Sequence, residues 1–360
     1  MPKAKNRMQR KPAREKTNAP FIKGKAVVVL GPHRAVFKEV AYPKPRPDEV
    51  LIKVAYEGVC GTDLEIYEGH LGYFKSGMSK FPLTPGHEFS GWIVECGKGV
   101  NSVKAGDRVV VECIQGCGEC EQCKSSNPIA CHDRKEVGVM KLNGGYAEYV
   151  VVPARFVHIV PEGIDLKMAS MCEPLAVVHK GISRLQAFAS KMNFGEEVRY
   201  AVVGGGPIGY LSAQLLASFG RKVVVYDRHP KRLSYYNNPL ISTECEMSRI
   251  RKFAVFVEAT GDPDALHELL DNSRTGSTFL LLGLPYSRRS FSFESVVAFD
   301  KTIIGSVGSS SVDFAAALRL LPQLDVRPLL KSIVPLKEYT QAWENFTQRK
   351  FLKTILEVSP

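Results

Sequence analysis

Four cysteines, Cys117, Cys120, Cys123 and Cys131, follow one another at the spacing CxxCxxCx7C, and nothing else in the chain restricts its fold as strongly. Four thiolates in one short loop can close a tetrahedral shell around Zn2+, and a shell without an open position is structural. An iron–sulfur cluster is the chemical rival for the same thiols. Of the nine cysteines, these four and Cys113 fall within nineteen residues. Disulfide scaffolds spread their cysteines along a secreted chain, so this clustering points to a metal. Cys113 lies outside the spacing and reads as a core thiol.

At 360 residues and 44% apolar content the chain is long enough to bury a sizeable core and suggests two domains. No stretch reaches the roughly eighteen uninterrupted apolar residues that span a bilayer, and the N-terminus lacks the apolar core of a secretory signal. No membrane partner and a cytoplasmic location are the expectations. The net charge of +11 resembles that of a nucleic-acid binder until its distribution is read. Residues 1–20 hold seven basic side chains, from Lys3 to Lys16, against Glu15, and supply +6 of the total. With Pro12, Pro20 and few apolar residues, this leader is expected to be a disordered tail. A solubilising extension is the simplest reading; a nucleic-acid arm or a cleavable presequence are alternatives.

From Ala26 to about Val160, short β-branched runs (AVVVL, EVLIKVAYEG, FSGWIVECG, DRVVVEC, YAEYVVVP) are broken by Gly and Pro, as in a turn-rich β domain. The period then changes. Residues 169–189 read as a helix with Pro174 near its start, and RYAVV, RKVVVYD, FAVFVEATG, STFLLLG and KTIIGS read as buried strands alternating with helices. That alternation predicts a parallel, doubly wound sheet. VDFAAALRLL after Ser311 predicts a helix, and FLKTILEV a last strand.

Directly after RYAVV comes GGGPIG, in which Gly204, Gly206 and Gly209 fit GxGxxG, with Pro207 and Ile208 opening the next helix. Glycines let such a turn close and let its backbone approach a pyrophosphate at the helix N-terminus. A lone GxGxxG is weak, but here strand, turn, helix and a second strand ending at Asp227 come in order. Asp227 would accept ribose hydroxyls and repel a 2′-phosphate, which favours NAD; Arg228, Lys231 and Arg232 pull towards NADP as the alternative. Separately, Cys60 in GVCGTD with His87 and Glu88 in PGHEFSG supply the mixed thiolate, imidazole and carboxylate donors of a catalytic zinc. Each also has an ordinary reading, as a core thiol, a hydrogen-bonded histidine and a surface acid.

In this order, GVCGTD, PGHEFSG, KAGDRVVVE, the four-cysteine loop, GGYAEYVVVP, CEPLAVVHKG and GGGPIG resemble the zinc-containing medium-chain dehydrogenase/reductase family, in particular its sorbitol, threonine and glucose dehydrogenase branch. The resemblance covers residues 25–360. It implies an α/β fold: a GroES-like β-rich catalytic domain (25–175 and 312–360, after a tail at 1–24) and a Rossmann doubly wound parallel sheet (176–311). Residues 228–252 have room for about one helix and a short strand, so the adenine side of that sheet is abbreviated.

The resemblance further implies two zinc ions per chain. The structural one would sit on the four-cysteine loop. The catalytic one would take Cys60 and His87, with Glu88 as a close or exchanging ligand and Glu173 as the polyol-dehydrogenase ligand; the adjacent Cys172 is the alternative. Thr62 matches the position of a proton-relay hydroxyl. Glu258–Gly261, with Thr260, then Leu282–Leu284 and Ser306–Val307, match places that line ribose and nicotinamide. Glu65 stands where sorbitol dehydrogenases tend to carry histidine, and with His70 and Glu112 would shape a polar substrate pocket.

The implied activity is hydride transfer between NAD(H) and a secondary alcohol of a polyol, cyclitol or sugar derivative, in a homo-dimer or homo-tetramer by analogy. A threonine-type amino-alcohol dehydrogenase shares every motif. A nucleic-acid-binding zinc protein would use the tail and the cysteine loop but leaves GGGPIG, Asp227 and the GHE string unexplained. Cys60, Thr62, His87 and Glu88 together speak against a fold retained for structure alone.

Overall fold

The computed structural model describes residues 22–189, 199–247, 249–285 and 289–359; the basic leader to residue 21 lies outside them. A hairpin, Ile22–Gly31 with Arg34–Tyr42, precedes a seven-stranded sheet in which the strand Glu49–Gly58 is central. That strand pairs antiparallel with Phe89–Cys96, Tyr149–Pro153 and Thr354–Glu357, and the strand Ser332–Pro335 follows beyond the last of these. The two C-terminal strands therefore return to the N-terminal sheet. Their apolar residues and those of the first half share one core, with Val50, Ile52, Val54, Ile93, Val109 and Leu356 almost fully buried.

Between these segments lies a second sheet of six parallel strands in the order 241–244, 223–226, 200–203, 255–258, 278–281 and 302–305. Near-continuous apolar strands such as Tyr200–Val203 and Val255–Glu258 are covered on both faces, as parallel strands require. The chain crosses sides at Tyr200–Val203, and a crevice beyond the carboxyl ends of the strands follows from that switch. All six strands are present, while the expected abbreviation falls on the connections. A four-residue helix, Pro230–Leu233, and a single 3-10 turn, Ile250–Lys252, flank the strand Ile241–Glu244.

Two helices join the sheets. Cys172–Ala189 packs on Pro207–Ser218 and on Ser311–Leu320, which begins at a reciprocal cap between Ser310 and Asp313. His179 on the first helix meets Asp313 on the other at 2.9 Å.

On the face of the parallel sheet away from those helices, Phe256 stacks on Phe279 at 5.0 Å between ring centres, both fully buried. Phe256→Ala leaves a cavity that the short connections cannot close, and should cost about 3–5 kcal/mol. Calorimetry would show this as a melting temperature several degrees lower, and an unchanged melt would contradict the packing described.

Candidate active site

The strand Glu49–Gly58 delivers Cys60 to the N-cap of the helix Gly61–Glu68, where Asp63 Oδ2 accepts from the Cys60 N–H at 2.9 Å. His87 and Glu88 lead into the antiparallel neighbour, and the register Glu57 opposite Phe89 sets them beside Cys60. Gly86 makes the approach with φ +101°, and a Cβ there would meet the Glu57 carboxylate and the Tyr146 backbone at 2.8 Å. The donor atoms of Cys60, His87 and Glu88 all lie within 4.8 Å of one another, with both His87 and Glu88 buried. Thr62 is half-buried in the first turn of the helix that Cys60 caps.

Glu173, second residue of the helix Cys172–Ala189, is buried and near enough for its charge to act on His87. The Cys172 thiol points into the core, with Sγ 3.7 Å from the Phe314 carbonyl. Glu173 is therefore the member of that pair whose charge acts on His87, while its carboxylate stands outside the group of donor atoms that Cys60, His87 and Glu88 form. Burial, with Glu88 adding to it against the pull of His87, pushes the Glu173 carboxyl up to about 7. Burial and Asp63 hold the Glu57 carboxyl well above its ordinary range. Burial disfavours a charge on His87, yet Cys60, Asp63 and Glu173 together raise its pKa well above the imidazole range. Lys353 forms a buried ion pair with Glu88. Four buried carboxylates and a thiol thus face one imidazole and one ammonium, a field and a donor set that fit a divalent cation with zinc's preferences.

Sequence reasoning did not single out Glu57, Asp63, Tyr146, Trp343 or Lys353. Asp63 Oδ2 also accepts from Tyr146 Oη at 3.1 Å, Trp343 Nε1 donates to Tyr146 Oη at 3.3 Å, and Asp63 Oδ1 lies 3.6 Å from His87 Nδ1. The Glu57 carboxylate accepts from the Glu88 N–H at 2.9 Å. Asp63 was visible inside GVCGTD, whereas Lys353 and Trp343 come from the far end of the chain with no local signal.

The four cysteines of the loop bring their Sγ atoms within 4.8 Å of one another. Backbone N–H groups of Glu119 and Cys120 donate to Cys117 Sγ at 3.4 Å and bring its pKa down to about 6, towards the thiolate a metal needs. Glu65, Glu68 and His70 gather at the other end of the helix that Cys60 starts, His70 Nδ1 lying 3.4 Å and 3.1 Å from the two carboxylates. Glu112 is not brought to the Cys60 cluster: its carboxylate meets His158 at 2.8 Å on the wall of a cavity of about 230 Å3 beside Cys123 and Arg155. Its neighbour Cys113, buried as expected, is the one near enough to feel Glu173 and Cys60.

In the second sheet, Gly204 turns at φ +104°, and Gly206 caps the helix Pro207–Ser218, which starts at Pro207 and Ile208. A Cβ on Gly209 would run into the Gly204 carbonyl oxygen. Asp227 is almost buried and accepts from the N–H groups of Gly205 and His229, each at 2.8 Å, with Arg232 3.4 Å away. Arg228 reaches Asp262 at 3.8 Å in solvent. Glu258 binds the Thr260 and Gly261 N–H groups at 2.6 and 3.1 Å, Leu282 N donates to the Glu258 carbonyl, and Lys180 donates to the Val307 carbonyl at 2.7 Å. Leu284 and Val307 are exposed, and the Ser306 hydroxyl is buried without a hydrogen-bond partner among the described residues. Gly204, Asp227 and Glu258–Gly261 each lie at or just beyond the carboxyl end of a strand of the parallel sheet.

Residues 46–162 match the alcohol dehydrogenase GroES-like domain family, and residues 166–358 match the glucose dehydrogenase C-terminus family. A sorbitol dehydrogenase of Halalkalibacterium halodurans is 31% identical over 90% of this chain and 95% of its own length. Two solved structures from Escherichia coli are each 25% identical over 93% of this chain. One, a short chain alcohol dehydrogenase complexed with NADH, has a TM-score of 0.82 and is covered over 99% of its length; the other, a galactitol-1-phosphate dehydrogenase, has 0.79 and 100%. The chain belongs to the zinc-containing medium-chain dehydrogenase/reductase family, and is an oxidoreductase of the alcohol and polyol dehydrogenase type.

Because the turn and helix touch at Gly209, Gly209→Ala should force them apart. The expected result is affinity for the reduced nicotinamide cofactor, NADH or NADPH, lowered at least tenfold in a fluorescence titration, together with a lower melting temperature. Wild-type affinity in a stable Gly209→Ala variant would refute this account of the turn.

Proposed function

We propose that this enzyme transfers a hydride between NAD(H) and a secondary hydroxyl of a polyol, cyclitol or sugar derivative. The observation that carries the reading is the buried cluster of Cys60, His87 and Glu88, with Glu173 facing it from the helix that joins the two sheets. The sorbitol and galactitol-phosphate relatives support the substrate class. Asp227, an acid where the ribose hydroxyls would bind, supports NAD over NADP despite Arg228 and Arg232 nearby. The strand pairing supports a catalytic unit of residues 25–175 and 312–360 around a dinucleotide unit of 176–311.

Cys60, His87 and Glu173 would hold the catalytic zinc with Glu88 close by, and Cys117, Cys120, Cys123 and Cys131 the structural one. The catalytic zinc would supply Lewis acidity at the substrate oxygen. The chain's own residues do the rest. Asp63, fixed by the Cys60 N–H and Tyr146, sets its negative charge 3.6 Å from His87 Nδ1, and Lys353 holds the Glu88 carboxylate by its charge. Thr62 Oγ1 takes the alcohol proton and passes one outward. Leu282, Leu284, Thr260, Ser306 and Val307 would shape the walls against the cofactor, and Glu65, paired with His70, would belong to the substrate pocket.

No helix among the described residues is long and apolar enough to cross a membrane. A small-molecule substrate, a cytoplasmic setting and a homo-dimer or homo-tetramer complete the proposal.

The test is NAD+ reduction over a panel of sorbitol, other polyols, aldoses, polyol phosphates and L-threonine. Turnover on one or more polyols or sugars is expected; turnover on L-threonine alone would sink the substrate class. With the preferred substrate, Thr62→Val should lower kcat by about 100-fold or more while leaving zinc content unchanged. Near-normal turnover in that variant would remove Thr62 from the proton path.

A further inference from the structure

Arg349 follows the helix Tyr339–Thr347 by two residues and has φ +53°, a left-handed backbone disfavoured for any residue with a Cβ. Helices commonly end this way, with glycine there because it fits without strain. The chain closes normally around the position, Arg349 N donating to the Phe346 carbonyl and Lys350 N to the Asn345 carbonyl, each at 3.0 Å. The helix end therefore needs the backbone shape but not an arginine. Strain kept where a smaller residue would relieve it directs attention to the side chain.

That side chain leaves its own unit. Arg349 Nη1 donates to His229 Nε2 at 2.7 Å, joining the C-terminal segment of the seven-stranded sheet to the loop after the strand Val223–Tyr226 of the parallel sheet. The loop is that of Asp227 and Arg232. The His229 N–H is bonded to Asp227 Oδ1, Asp227 Oδ2 to the Gly205 N–H, and the Arg232 guanidinium lies 3.9 Å from where a side chain on Gly206 would begin. Arg349 thus stands one side chain away from the residues around the glycine turn. The shortened helix Pro230–Leu233, for which His229 is the N-cap, leaves that histidine open to the other unit.

We propose that Arg349 is a cofactor-binding residue supplied across the cleft by the catalytic unit: it rests on His229 in the free protein and contacts the adenosine-side ribose and phosphate when the dinucleotide binds. The inference rests on the dinucleotide reading above. A guanidinium at this place adds a charge-assisted donor to an anionic ligand already met by Arg232 and the helix N-terminus, and bridges the two units as the ligand enters.

The test is Arg349→Gly in the full-length enzyme, with Arg349→Lys and His229→Ala beside it. Glycine suits φ +53°, so the melting temperature of Arg349→Gly should stay within about 2 °C of wild type. Dissociation constants for NADH and for ADP-ribose, which lacks the nicotinamide, should both rise roughly tenfold, with KM for NAD+ rising in parallel and kcat at saturation little changed. Arg349→Lys should recover part of the affinity, and His229→Ala should lose less than Arg349→Gly. Unchanged NADH and ADP-ribose affinity in Arg349→Gly overturns the inference alone, as does a lower melting temperature without loss of affinity, the mark of a purely structural arginine. If the unsubstituted enzyme binds neither NADH nor NADPH, the dinucleotide reading itself has failed.

Discussion

The catalytic half of this molecule is organised around an excess of buried negative charge. Glu57, Asp63, Glu88 and Glu173 and the Cys60 thiol converge on one imidazole, and the cation supplied by the chain, Lys353, is bonded to Glu88. Desolvating carboxylates is costly unless charge of opposite sign is close, and the raised pKa values of Glu57 and Glu173 record that cost. A divalent cation at the centre would remove it. Such a cation would give a strand end, a loop before the neighbouring strand, the start of an inter-sheet helix and the last strand one reason to converge.

The C-terminal return of the chain follows from this. Lys353 precedes the strand Thr354–Glu357, which pairs with the strand leading to Cys60, and Trp343 braces Tyr146 and through it Asp63. The helix Cys172–Ala189 serves both units: its first turn carries Glu173, and its third meets Asp313 and the Val307 carbonyl through His179 and Lys180. The proposed zinc ligand Glu173 and the segment ending in Val307 are therefore held by one helix.

Local chemistry made much of this legible in the sequence. The four-cysteine loop and the turn at Gly204–Gly209 are short-range motifs whose geometry follows from their spacing, and the apolar strands announced the parallel sheet. The short connections after Asp227 followed from counting residues. What spacing did not contain were meetings across long separations. Glu57 looks like a surface acid in an alternating strand, Lys353 like one more basic residue, and Glu112 like its neighbours, until the fold turns the Cys113 thiol into the core and Glu112 to His158. Preferring Glu173 over Cys172 is likewise a matter of helix phase, and the Cys172 thiol entering the core supports it.

The most direct test of this account is metal analysis of the purified enzyme and its Cys60→Ala variant. About two zinc ions per chain are expected in the enzyme, and about one in the variant, which should stay folded and lose turnover. One zinc in the unsubstituted enzyme, or two retained in Cys60→Ala, would contradict the claim that a catalytic zinc neutralises the buried cluster.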